Sequence, residues 1–530
     1  MTKLIDCEVG SVLPSLELPL DRTLIVATAI SSQDFEDVHH DPGKAQDRGT
    51  PDIFMSINTT NGLIDRYITD WSGPASRIVK TSLRLGVPNF PGDTMTFTGE
   101  VTATDGRALT VTVLGKKRPW NTRDGRRDSR TGGKGNRMTR GFSRQAAIAG
   151  IGATEFSKNS GRSEWQLACE SVIAALDDAH IEAEEVNGFA LFTMENNPEI
   201  AVARALGIPE LTFFSRIPHG GGGACAPVQQ AALAVSSGVA DVVVVYRAFN
   251  ERSGHRFGAG PPPFAYNAST DQEYRNWINP YGLLTPAQQE AFLAKLYMHK
   301  YGATSADFGQ ISVLSRKHAA NNPKAWFYER PITIEDHQNS RMIADPIRLL
   351  DCCQESDGGQ ALVIVSAERA RDLPHKPAVI SGAAQGVGPQ QISMSSYYRD
   401  DIDSMPEVEL VARQLWDQAG IGPDDIDAAI LYDAFTPMVL LQLEEYGFCG
   451  RGEAKDFIAD GNLELDGRLP INTHGGQLGE GYIHGVNGIA EGVRLIRGTS
   501  TNQPTKTLDN VLVTGGSPVP HSALVLSADR

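Results

Sequence analysis

The chain has no Cys-x-x-Cys pair, and its six cysteines (7, 169, 225, 352, 353 and 449) are too sparse in 530 residues for a disulfide framework. Reduced thiols in a cytoplasmic setting are the expectation. Long apolar runs are also missing. The longest candidates, such as VADVVVVY at 239–246, have the length of a buried strand, so no membrane span is expected. No basic start followed by an apolar block opens the chain, which argues against a signal peptide. Positive charge is scarce, with 48 Lys and Arg against 64 Asp and Glu, and a net charge of −16 excludes a nucleic-acid surface over most of the length. There is no G-x-S-x-G elbow, no P-loop and no metal-type cluster, so no metal and no permanently bound cofactor are expected. Gly150-Ile-Gly152 lacks the third glycine of a dinucleotide fingerprint.

One segment reverses the charge. Residues 116–144 hold eleven Lys or Arg and two Asp with little to bury, which predicts a solvated basic linker. It divides a chain long enough for two to four domains. Met138 lies inside it and is a candidate start of the second part.

Residues 1–115 read as strands around one helix. Ile53, Ile57, Ile64 and Ile68 form a 3.6-residue stripe after Asp52, and alternating runs follow at 78–87, 94–103 and 108–115, separated by NFPGD and TDGR. Before the helix stands SSQDFEDVHHDPGKA, with Asp34 and His39 five apart. By itself a pair of this kind is usually a surface hydrogen bond.

From Ala146 the chain repeats a unit of strand, glycine turn, helix, acidic turn and strand. AAIAGIGATEF, the helix 163–181 and EAEEVNGFALF are matched by AVISGAAQGVG, the helix 407–421 and GPDDIDAAILYDAF. A second shared element pairs GGGGACAPVQQ and its strand with GEGYIHGVNGIAEG and NVLVTGG.

The first part, through Asp34, Val38, His39, Asp41, Pro42 and the later PGDTMTF turn, resembles MaoC-like (R)-specific enoyl-CoA hydratases. The resemblance implies a hotdog fold with Asp34 and His39 catalytic. Gln33 stands where that family has Gly, and Glu36-Asp37 where it has Asn-Pro. Residues 145–530 resemble thiolases, and the stretch 346–366 with the THGG loop resembles their lipid-transfer-protein (SCP-x-like) branch. The fold class implied is an α+β hotdog domain followed by an α/β thiolase fold of two similar βαβαβαββ halves in five layers. The halves are expected at 145–376 and 377–530, with a loop insertion at about 250–345.

Thiolases carry N-x-x-G-G … G-H-P-x-G-x-S-G. Here the glycines persist at 475, 476, 481, 485 and 488, while the His position is Tyr482, the Pro position Ile483 and the Ser position Asn487. A phenol titrates near 10 and an imidazole near 6.5, which changes the proton that the loop moves at neutral pH. Counting back from Gly238 places the missing nucleophilic Cys at Gly221. The N-E-A-F position is Tyr432, and the C-terminal Cys position falls at Thr514 and Gly515. Every usual catalytic group is exchanged, two of them for tyrosine.

Retro-aldol cleavage of a β-hydroxyacyl thioester needs no acyl carrier, so it tolerates the lost Cys. The pairing with a hydratase motif resembles the steroid side-chain-degrading system of actinobacteria, whose aldolase carries paired tyrosines and releases propionyl-CoA and a 17-ketosteroid. The resemblance implies Tyr432 and Tyr482 as catalytic. It also implies Gly221, Gly222, Gly223, Asp433, His474, Gly475 and Gly476 as substrate-binding, and an acyl-CoA as substrate. A homodimer, an OB-fold/zinc-ribbon partner and a second hotdog subunit are the partners implied. Two other readings stand beside it: a thiolase or acyltransferase using Cys225, and a non-catalytic lipid carrier. Arg247, Arg252 and Arg256 are open candidates for CoA contacts.

Overall fold

The computed structural model describes residues 7–32, 34–73, 76–104, 108–118, 141–218, 220–254, 256, 281–391, 394, 396, 399, 401–516 and 520–529. Gln33, Met138 and most of the basic segment lie outside the described residues. The chain divides into two compact units, Met1–Gly135 and Asn136–Arg530.

The first unit contains β1 (Val12–Pro19), α1 (Arg22–Ser31), α2 (Pro42–Asp47), α3 (Ile57–Ser72), β2 (Thr94–Thr104) and β3 (Leu109–Arg118). The strands form one antiparallel sheet in the order β1-β2-β3. Helix α3 starts later than its isoleucine stripe suggests, because Ser56 caps it by accepting the Thr59 N–H at 3.1 Å. Its buried face is Thr59, Thr60, Leu63 and Tyr67, whereas Ile57 is 52% exposed and Ile53 precedes the helix. Tyr67 stacks on Phe97 and donates to Pro14 O at 2.8 Å, which fastens helix to sheet.

Two expectations are corrected here. The run 78–87 forms no strand, and Ile78, Val79, Leu85 and Val87 stay exposed. Alternation alone makes no ladder without an edge whose N–H and C=O groups can pair. The linker is also shorter than its charge suggests. Lys116, Lys117 and Arg118 pair with Thr96, Met95 and Thr94 in β3, and Lys117 Nζ reaches Asp93 at 3.1 Å. At the far end Phe142 is buried and Arg144 N donates to Ile380 O, so 142–144 belong to the second unit.

The second unit begins β4 (Ala146–Ala153), α4 (Glu164–Ala179), β5 (Gly188–Phe192), α5 (Glu199–Leu206), β6 (Phe213–Ile217), α6 (Ala226–Ser236) and β7 (Val243–Asn250). An excursion follows, α7 (Pro286–Tyr301), α8 (Ser305–Asn321), α9 (Ile334–Asn339), β8 (Met342–Ala344) and β9 (Ile347–Arg348), before β10 (Asp357–Ser366) and α10 (Ala367–Ala370). The second half is β11 (Ala378–Gly386), α11 (Pro406–Ala419), β12 (Ala428–Ile430), α12 (Thr436–Glu445), α13 (Ala454–Ala459), α14 (Gly476–Gly479), α15 (Val486–Arg497), β13 (Asn510–Thr514) and β14 (His521–Ala528).

The repeat read from the sequence is a repeat of topology. From its outer edge the first half runs β6-β5-β7-β10-β4, and the second runs β12-β13-β14-β11, with Ile471 bridging β12 in parallel where a further strand would stand. In both halves the outer strands are parallel and the inner ones antiparallel. Pairing of Ala378 and Val379 with Ile148 and Ala147 joins them into one nine-stranded sheet.

Alternate residues along each strand face different cores. One core holds Ile148, Val243, Val245 and Leu362 of the first half and Val511, Val513, Leu524 and Leu526 of the second, with α6 and α15 between them. The opposite faces pack against α4 in the first half and α11 in the second. This is the expected order of five layers, and it buries both glycine-led helices, α6 and α15, at the centre.

Candidate active site

Tyr432 stands just beyond β12, and its backbone is fixed from three directions. Asn472 copies a strand partner with its side-chain amide, accepting Leu431 N and donating to Leu431 O, both at 2.9 Å. Tyr432 N donates to Thr514 Oγ1 at 2.9 Å, and Gln442 Nε2 donates to Tyr432 O at 2.8 Å. Thr514 Oγ1 in turn donates to Gln442 Oε1 at 2.6 Å. Thr514, one of the two positions where the C-terminal Cys was expected, thus serves as a brace. The tyrosine ring slots between Gly485 and Gly516, and a Cβ added to Gly221 would stand 2.0 Å from its Oη. The phenol therefore fills the space that a nucleophile at 221 would need.

Tyr482 comes from the loop before α15. Its N–H donates to Ser356 Oγ at 3.2 Å, and its ring meets Phe249 and His484 edge-on. The Tyr432 hydroxyl donates to the Tyr482 oxygen at 3.1 Å. Burial pushes both phenols above their ordinary range, and the nearby Cys353 and Glu251 push the same way, so both are neutral at physiological pH.

Arg247 is corrected as a candidate for CoA. It is fully buried, donating from Nε to His484 Nδ1 at 3.2 Å, pairing with Glu195 at 3.2 Å and lying over the Phe249 ring. Burial, reinforced by Arg247, drives His484 well below the usual imidazole range, so it stays neutral and braces Tyr482. Arg252 gives its backbone N–H to Asp357, and Arg256 pairs with Glu355.

Of the other positions, Gly222, Gly223, Asp433, His474, Gly475 and Gly476 are buried and Gly221 is partly so. Gly223 N donates to Gly220 O, so a backbone donor from the glycine run falls to Gly221 or Gly222. His474 Nε2 lies 3.9 Å from Glu480, which also receives Asn487 and Asn322. Gly475 packs against Ala319 of α8. Cys225 is core: it sits at the head of α6, wholly buried, with Sγ toward Val513 O, and burial pushes its thiol far up.

Asp433 is fully buried. One oxygen accepts Gln477 N at 2.8 Å, and the other has no partner and would lie 1.9 Å from a Cβ at Gly476. Burial raises its carboxyl from 3.8 to about 6. Between those values the folded chain keeps a proton that the unfolded chain has released. The stability is complete below 3.8 and is lost as pH rises through 6, about 3 kcal/mol in total. Asp433→Asn, which cannot ionise, is expected to flatten the denaturation midpoint across that window. An unchanged pH slope in urea titrations would count against this role.

In the first unit Asp34 and His39 do meet. His39 Nδ1 donates to Phe54 O at 2.7 Å, and its Nε2 stands 3.6 Å from Asp34 Oδ2. That gap suits a water-mediated link. Val38 anchors the turn in the core, and Asp41 caps α2 by accepting Lys44 N, with Pro42 at the first helical position. An open depression of about 480 Å³ is lined by Asp34, Phe35, Glu36, Asp37 and Arg48.

Among the described residues no group of three or more His, Cys, Asp or Glu could hold a metal ion, and no helix is long and apolar enough to cross a membrane. Sequence reading missed the braces Asn472, Thr514 and Gln442. Of these, Asn472 and Thr514 lay within motifs already singled out, whereas Gln442 did not.

The fold defines a protein of the thiolase superfamily. The thiolase C-terminal domain-like family matches residues 387–528. The chain is 66% identical over 385 residues to the steroid side-chain-cleaving aldolase of Thermomonospora curvata, covering 73% of this chain and 98% of that protein. It is 64% identical, over 73% of its length and 100% of the relative, to the 17-hydroxy-3-oxo-4-pregnene-20-carboxyl-CoA lyase of Mycobacterium tuberculosis. The solved Ltp2-ChsH2(DUF35) aldolase superposes with a TM-score of 0.71 at 65% identity, covering 73% of this chain and 99% of that one. A further 108 residues are 53% identical to the 3-oxo-4,17-pregnadiene-20-carboxyl-CoA hydratase beta subunit of M. tuberculosis, 20% of this chain and 84% of the relative. The chain belongs to the family of thiolase-like aldolases and is a carbon–carbon lyase.

Proposed function

We propose that Tyr432 and Tyr482 carry out retro-aldol cleavage of a β-hydroxyacyl-CoA, a 17-hydroxy steroid C22 thioester, giving propionyl-CoA and a 17-ketosteroid. The observation that carries this is the pair of neutral phenols 3.1 Å apart in the space vacated at Gly221. A neutral phenol accepts a proton only by passing one on. The hydrogen-bonded pair does both, taking the substrate hydroxyl proton at Tyr432 and offering an O–H from Tyr482. As the hydroxyl proton leaves, the oxygen forms the ketone, the Cα–Cβ bond breaks, and its electrons form a thioester enolate. A donor at that enolate oxygen contributes about 3–4 kcal/mol. The substrate class is supported by the activities of the two aldolase relatives.

The first unit is the proposed hydratase domain, of hotdog type, in which His39 Nε2 and Asp34 add water to the matching enoyl-CoA. Its likeness to a hydratase subunit supports that role and assembly with a second hotdog subunit. Likeness to the solved Ltp2-ChsH2(DUF35) aldolase supports a further partner chain on the second unit, and a homodimer through the thiolase fold is proposed with it.

The test is to give the full chain, assembled with its partners, first the 17-hydroxy thioester and then the 17-ene. The expected results are propionyl-CoA with a 17-ketosteroid from the first, and water addition followed by the same products from the second. A stable acyl adduct on Cys225, or no propionyl-CoA, overturns the lyase assignment of these tyrosines.

A further inference from the structure

Glu251 is the buried acid that this mechanism leaves unused. It follows β7 by one residue, is 2% exposed, and its Oε2 has no partner. A buried carboxyl with an unsatisfied oxygen is costly to keep unless it serves a purpose. Its surroundings lead to the tyrosines. The Ser356 N–H donates to the Glu251 carboxyl, while Ser356 Oγ accepts the Tyr482 N–H at 3.2 Å. Phe249, two residues before Glu251, packs its ring on Tyr482. Lys158 stands alongside, held by Gln354 Oε1 at 2.8 Å and Glu355 O at 2.7 Å.

We infer that Glu251 is the catalytic acid that protonates the α-carbon of the released thioester enolate. This rests on the lyase reading of the same site and supplies the step that reading leaves open. As the Glu251 proton forms the new C–H bond with the electron pair released from the Cα–Cβ bond, the carboxylate so formed receives the proton that the phenol pair relays from the substrate hydroxyl, so that uptake and delivery occur together. No proton is gained or lost overall, and no further reagent is needed. Burial, with Glu355 beside it, holds the carboxyl well above the usual range, so the acid is loaded at neutral pH. Arg247 and Lys158 pull the other way, and Tyr432, Tyr482 and Cys353 complete the set of titratable groups around it.

The experiment uses the assembled complex in D2O and follows two signals, 17-ketosteroid release from the 17-hydroxy thioester and exchange of the α-hydrogens of propionyl-CoA. Exchange runs the protonation step in both directions and needs the carboxylate, so wild-type exchange rises with pH. Glu251→Gln is expected to lower exchange about 10²–10⁴-fold and to remove that pH dependence, with KM and thermal midpoint near wild type. Glu251→Asp is expected to recover part of the exchange. Exchange unaltered in Glu251→Gln overturns the assignment, as does a loss that comes with a collapsed thermal midpoint and is not recovered in Glu251→Asp. A wild-type complex that makes no propionyl-CoA sinks the lyase reading as well, whereas wild-type turnover with an unaffected Glu251→Gln sinks this inference alone.

Discussion

Tyr482→Phe and Tyr432→Phe are each expected to lower kcat for carbon–carbon cleavage by about 10²–10⁴-fold, with KM nearly unchanged. The ring slots explain why the fold should survive. Tyr432 is wedged between Gly485 and Gly516, and Tyr482 rests on Phe249 and His484, contacts that phenylalanine keeps. What disappears is one hydroxyl of a pair 3.1 Å apart. A relay broken at either oxygen moves no proton, so the double variant should be scarcely worse than either single one. Groups acting as a unit show this non-additivity. Steady-state kinetics on the three variants decide it. Independent, multiplying losses would mean that the phenols serve separate steps, and full activity in either single variant would remove the pair from the mechanism.

A methyl group at residue 221 should be nearly as damaging, although Gly221 takes no proton and carries no charge. The Cβ of Gly221→Ala would lie 2.0 Å from Tyr432 Oη, and neither side has room to retreat. Gly221 O is held by Gly516 N at 2.9 Å, and Asn472, Thr514 and Gln442 hold the Tyr432 backbone. A displacement of about 1 Å in a catalytic group costs about 10²-fold, and overpacking costs about 1–3 kcal/mol of stability. Gly221→Ala is therefore expected to lose at least about 10²-fold in kcat and to lower the thermal midpoint. Combining it with Tyr432→Phe removes the clashing oxygen, so stability should return while activity stays lost. Wild-type kcat in Gly221→Ala would show that the phenol does not depend on this space. Gly221→Cys alone is expected to give no thiolase, since its thiol has no room beside Tyr432.

The repeated unit was legible because its signals are local. Ser163 ahead of an apolar helix, and the acidic turns at 182–185 and 423–425, are written in consecutive residues, and each forms where it reads. In the first unit the same kind of reading failed for 78–87, where the alternation is present but no paired edge stabilises it. It also misjudged 116–118, whose charge suggests solvent although pairing with β2 makes it strand.

By itself the sequence determined the strand-turn-helix repeat, which follows from residue identity and spacing along one chain. The resemblance to thiolases and hydratases added the candidacy of Tyr432, Tyr482, Asp34 and His39. Only the tertiary structure decided that the two tyrosines, fifty positions apart, share a hydrogen bond. It also decided that Cys225 is core, that Arg247 is a buried brace, and that Ser356 links buried Glu251 to the backbone of Tyr482. The reason is the five-layered packing. It brings the ends of β7 and β12 and the heads of α6 and α15 to one buried place, and which side chains meet there depends on layers from both halves closing together.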